Sequence, residues 1–90
     1  MSSPELIRKR KELHQHPELS GREEKTAARI EKWLKKLEPD ELLTGLGGTG
    51  ILARFNASVD SPITVLFRAD LDAIAVNEAS DFHYRSEFDN

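Results

Sequence analysis

Two carboxylates separated by one residue, Asp70 and Asp72, stand in the run Arg68-Ala69-Asp70-Leu71-Asp72, directly after the apolar stretch Ile63 to Phe67. At the C-terminal end of a strand in an α/β protein, such a pair can hold a metal, orient a ligand or polarise an imidazole. The same residues can equally cap the following turn and pair with Arg68. Residue types alone leave both readings open.

A second candidate is Gly45 to Gly50, GLGGTG, which fits the dinucleotide pattern G-x-G-x-x-G. That chemistry needs a strand before the glycines, a helix after them whose N-terminus receives phosphate, and an acid about twenty residues further on. Asp70 stands at a suitable distance, but the segment after Gly50 alternates like a strand and then enters Asn-Ala-Ser-Val-Asp-Ser-Pro. This has neither the length nor the composition of a helix. The expectation is a glycine turn between two strands, with no cofactor-binding residue.

The histidines are weaker candidates. His14 and His16 lie two apart and would point to different faces of a helix, so joint metal binding would need extended geometry. Near a helix C-terminus the dipole favours a histidine in any case. His83, beside Asp81, is a similar case. No metal ligand is assigned.

These residues must be positioned by a small set of elements. Ser3-Pro4-Glu5 reads as a helix start, and a first helix is predicted from about Pro4 to His14, ending before Pro17. Ser20-Gly21-Arg22-Glu23 has the form of a capping box. The helix expected after it carries Ala27, Ile30, Leu34 and Leu37 in one stripe, flanked by Trp33 and closed by Pro39. Beyond Pro39 three strands are predicted: Leu42 to Thr44, Ile51 to Phe55, and Ile63 to Phe67, the last covered on both faces as a central strand. Asn77 to Asn90 reads as loop. The fold class is therefore α/β, two helices followed by about three strands.

Composition narrows the function classes. The chain has 90 residues, 38% hydrophobic and 32% charged, which suits a soluble folded chain and a single small domain. A net charge of -3 gives no footprint for nucleic acid. No cysteine is present, so neither a disulfide framework nor a thiolate site can form. No signal peptide or membrane-length apolar run is found, which makes the cytoplasm the expected location. Asn56-Ala57-Ser58 is read as a turn rather than a glycosylation site.

LHQHPELSGREEKTAARI, then GGTGILARF, then VLFRADLDAI, in that order and at these separations, resemble the N-terminal part of the metal-dependent amidohydrolases related to aminoacylase. That family includes hippurate hydrolase, auxin-conjugate hydrolases and related zinc carboxypeptidases. The resemblance covers nearly the whole chain. It implies that residues 1–90 are the N-terminal part of one catalytic α/β domain, a helix-flanked central sheet into which a lid or dimerisation domain is inserted. It further implies two divalent metal ions (zinc, manganese or cobalt) in the longer protein, a small N-acyl amino acid as substrate, and homodimerisation of that protein. Two cations lower the pKa of the attacking water and stabilise the tetrahedral oxyanion, with a glutamate as general base.

In this branch the metal ligands lie beyond the segment, so none is expected to bind here. Asp72 matches the family's aspartate after the strand, and Asp70 occupies the position of a metal-binding histidine in the wider group. The resemblance thus implies roles for Asp72 and Asp70 in orienting the site rather than in ligating metal. Departures from the family pattern include Phe67, Ile74-Ala75 and Glu38-Pro39, the last where a glycine often closes the helix. The piece alone is expected to be inactive and, with strands left unpaired, to self-associate. The alternative is a small non-catalytic α/β binding module in which Arg68, Asp70 and Asp72 are structural.

Overall fold

A computed structural model describes residues 2–73 and 86. The first helix, α1 (Ser3–Gln15), begins one residue earlier than Pro4 because Ser2 caps it. The Ser2 hydroxyl accepts from the Glu5 amide and donates to the Glu5 carboxylate at 3.0 Å, a reciprocal pair of the capping-box kind. That hydrogen bond holds the Glu5 carboxyl below its ordinary 4.5. The helix ends where Pro17 requires it: His16 takes non-helical angles, φ -122° and ψ 65°. No α1 residue is buried.

The second helix, α2 (Glu24–Lys35), starts later than the capping box predicted. Ser20 and Gly21 form a turn closed by the Arg22 amide on the Leu19 carbonyl, so the Ser20 hydroxyl is not the cap. Its place is taken by the carboxylate of Glu18, which accepts from the amides of Lys25 and Thr26. An ionised carboxylate at a helix N-terminus gains from both the charge-assisted bonds and the dipole, which favours it over a hydroxyl. The helix closes through Glu38, whose φ of 54° is the left-handed geometry a glycine would supply. Ala27, Ile30, Trp33 and Leu34 are half-buried, and Leu37 is exposed. Lys9 lies 5.4 Å from the Trp33 ring centroid and Glu12 reaches Arg29 at 4.0 Å, which ties α1 to α2.

The glycine string is the turn of a hairpin. β1 (Glu41–Leu46) pairs antiparallel with β2 (Gly50–Arg54), with Leu43 opposite Leu52 and Leu46 opposite Gly50. Gly47 and Gly48 occupy the turn at φ 62° and 113°, angles that side chains resist. At Gly50 a Cβ would come within 2.5 Å of the Leu46 carbonyl oxygen. Ile51 and Ala53 of β2 are half-buried and Leu52 and Arg54 exposed, the alternation the sequence predicted.

The third predicted strand is absent among the described residues. Ile63 to Phe67 pairs with nothing there, and its residues are open rather than covered, Phe67 at 89% exposure. The physical reason is that only one two-stranded sheet is described, so no neighbour supplies a ladder or a covering layer. For the same reason no apolar side chain among the described residues is buried. The surface measures 7351 Å², where a compact monomer of this mass would expose about 5300 Å². No helix among the described residues is long and apolar enough to cross a membrane. The segment predicted as loop after Asn77, with His83, lies outside the described residues apart from Ser86.

Candidate functional site

Among the described residues, the buried ones are Glu23 and Thr26, both polar and at the start of α2. Glu23 turns its carboxylate back across the Ser20-Gly21 turn. One oxygen accepts from the Gly21 amide, and the other accepts from the Thr49 hydroxyl at 2.8 Å. The hydrogen bond from Thr49 lowers the Glu23 pKa, burial opposes it, and the Gly21 amide adds to the lowering. Thr49 belongs to the glycine turn, so this bond fastens the hairpin tip to the helix N-terminus.

Glu18 does the same work on the other side. For its carboxyl, burial raises the pKa, but the side chain and amide of Thr26 and the amide of Lys25 outweigh it, and the net shift is downward. The carbonyl of Glu18 accepts from the Ala73 amide at 2.8 Å, and Leu19 and Ala73 form a parallel bridge. The segment Leu71 to Ala73 is thereby laid beside the entry to α2. Three separate stretches, PELSGRE, GGTG and DLDA, are brought together by hydrogen bonds at the entry to α2: Thr49 to Glu23, the α2 amides to Glu18, and the Ala73 amide to Glu18.

Asp72 sits one residue from that anchor and is exposed. Asp70 is exposed too, and its carboxylate takes an ion pair from Arg68 at 3.0 Å. At 85% and 68% exposure this pair contributes little to stability. Arg68 thus occupies Asp70, while Asp72 is exposed and directly precedes the anchored Ala73 amide. Among the described residues no three His, Asp or Glu side chains converge as a metal would require, and His14 and His16 form no such group. A cavity of about 260 Å³ between α2 and the hairpin tip, lined by Ala27, Glu31, Thr44 and Thr49 among others, is below the usual size of a ligand pocket. Sequence reading missed Glu18 and Thr49; the only local signal was an acid two residues before the expected cap.

Comparison with known proteins finds relatives along nearly the whole chain. N-acetylcysteine deacetylase of Bacillus subtilis (strain 168) is 34% identical over 84 residues, 93% of this chain and 22% of the relative. YhaA of the same organism, named as an amidohydrolase, is 40% identical over 92% of this chain and 20% of its own length. The hydrolase SH1513 of Staphylococcus haemolyticus (strain JCSC1435) is 41% identical across 100% of this chain and 23% of its own. No family model and no solved structure matches. These matches fit an N-terminal part of a protein of this amidohydrolase family, and the chain spans about a fifth of the length of the curated relatives it matches.

Proposed function

We propose that these residues are the N-terminal portion of a metal-dependent cytoplasmic hydrolase that cleaves the amide bond of N-acyl amino acids, and that they are inactive alone. The observation that carries this reading is the pattern of the matches: 93% of this chain aligns with 22% of N-acetylcysteine deacetylase. The hydrogen-bonded junction supports it, because the three motifs that carry the likeness are the ones that the junction joins. The described residues do not by themselves fit a metal centre, since no three donors converge. What they offer is a positioned carboxylate. The Ala73 amide is bound to Glu18, and on this reading the neighbouring Asp72 would accept an N–H from an imidazole supplied by the longer protein and so fix that ring's tautomer. The lack of a buried apolar core among the described residues speaks against a self-standing binding module.

The test is a chimera in which this chain replaces the matching stretch of N-acetylcysteine deacetylase. It is expected to hydrolyse N-acetylcysteine, and Asp72→Asn in that chimera to lower the rate by about 10- to 100-fold. A folded chimera that turns over no N-acyl amino acid would sink the assignment. Turnover by the 90-residue chain with added zinc, manganese or cobalt would show that the chemistry is placed wrongly.

A further inference from the structure

Glu18 makes two connections of different kinds. Its carboxylate accepts from the Lys25 and Thr26 amides of α2, and its backbone carbonyl accepts from the Ala73 amide at 2.8 Å. A helix cap needs only the first of these. The next residue holds the rest of the turn: the Leu19 carbonyl takes the Arg22 amide, and Leu19 bridges Ala73 in parallel. Across such a bridge successive side chains alternate between two sides, and exposure follows that alternation, with Leu71 and Ala73 half-buried and Asp72 between them exposed. A slip of one residue against Leu19 would exchange the two sets. The place of Asp72 is therefore set by which amide the Glu18 carbonyl takes, and the Glu18 backbone is in turn tied to α2 by its own side chain.

We propose that Glu18 is a positioning residue for Asp72: by clamping its own backbone to the start of α2, it fixes the register that separates Asp72 from its half-buried neighbours. This rests on the reading of Asp72 as the carboxylate that orients an imidazole of the longer protein, and it adds the residue on which that geometry depends. The clamp is firm for two reasons. Hydrogen bonds to an ionised carboxylate are roughly twice as strong as neutral ones. The Thr26 amide also belongs to a residue only 4% exposed, where water competes poorly for it. Glu23 provides the contrast: it stands at the same helix end but accepts from Gly21 and Thr49, so it ties in the hairpin tip and not residues 71–73. Small releases matter at such a contact, since misplacing a reacting arrangement by about 1 Å can cost about 100-fold in rate.

The test is a double-mutant cycle with Asp72→Asn in the N-acetylcysteine deacetylase chimera. Glu18→Ala is expected to lower kcat about tenfold with KM changed by less than about twofold, and Glu18→Gln, which keeps an acceptor, to lose less than about threefold. In the Asp72→Asn background Glu18→Ala should lower kcat by less than about twofold, because the carboxylate it positions is already gone. Thr49→Val frees the hairpin tip from Glu23 and should leave kcat within about twofold. Ala73→Pro removes the donating amide while keeping Asp72 extended; it should reproduce the Glu18→Ala loss and its dependence on Asp72, and it serves if Glu18→Ala does not fold. Hydrogen exchange of the Ala73 amide, read by mass spectrometry of overlapping peptides, involves no catalysis and should quicken about tenfold in Glu18→Ala. Equal losses from Glu18→Ala in both backgrounds, a loss as large from Thr49→Val, or unmoved exchange at Ala73 overturns this inference and leaves the hydrolase reading standing. A folded chimera without turnover, or Asp72→Asn without effect, removes the reading of Asp72 and this inference with it.

Discussion

Replacing Glu18 by alanine removes the acceptor of two α2 amides, and the consequences of losing each differ. The Lys25 amide is on an exposed residue and regains water. The Thr26 amide belongs to a residue only 4% exposed and is left without a partner. Loss of a helix cap costs about 1 kcal/mol and an orphaned buried donor about 1–3 kcal/mol; both describe loss of the same Thr26 bond, so about 2 kcal/mol is expected. If opening of the first turn governs exchange, protection of the Thr26 amide should fall by about 30-fold, at 1.36 kcal/mol per decade.

Glu18→Gln keeps an acceptor without the charge and should lie between the two. The pH dependence has a definite sign. The folded-state pKa of Glu18 is lowered from 4.5, so its contribution is fully present above that value and is lost as pH falls through the lowered pKa. In Glu18→Gln that loss should vanish. Hydrogen exchange followed by NMR, corrected for intrinsic rates, reads both effects. Protection at Thr26 unchanged within about twofold in Glu18→Ala would refute the assignment of Glu18 as the cap, since twofold is only about 0.4 kcal/mol.

The same geometry sets two further outcomes. Glu38→Gly should stabilise the end of α2 by about 1 kcal/mol, because a non-glycine residue at φ 54° carries a steric penalty that exceeds the backbone entropy glycine adds; chemical denaturation monitored by Trp33 fluorescence checks it. Thr49→Val removes the hydroxyl from Glu23, so the Glu23 pKa should rise toward 4.5 in a carboxyl-carbon NMR titration. An unmoved titration would mean that Thr49 does not hold Glu23.

The helices were legible in sequence because their signals are local. Pro4 and Pro17 bracket α1, and the stripe Ala27, Ile30, Leu34 defines α2 without reference to anything distant. The hairpin was legible for a similar reason, since Gly47 and Gly48 in the turn and the alternation of Ile51 to Arg54 are properties of adjacent residues. The cap of α2 was not, because Ser20 and Glu18 are both chemically suitable and the choice depends on how Gly21 turns the chain.

Ile63 to Phe67 marks the limit of local patterns. Five residues of strand-forming type state a preference, but a strand exists only where a neighbour accepts its hydrogen bonds, and the described residues supply none.

By itself the sequence determined the helix and hairpin segments and, through three motifs in order, the family. Only the tertiary structure decided that Thr49 bonds to Glu23 and Ala73 to Glu18, gathering both at the entry to α2. Those partners are up to 55 residues apart, Glu18 to Ala73, and no local pattern records which distant amide a carboxylate or carbonyl will accept. The same contact decides the surroundings of Asp72: its residue type was plain, but its place beside the entry to α2 comes from the bond made by its neighbour.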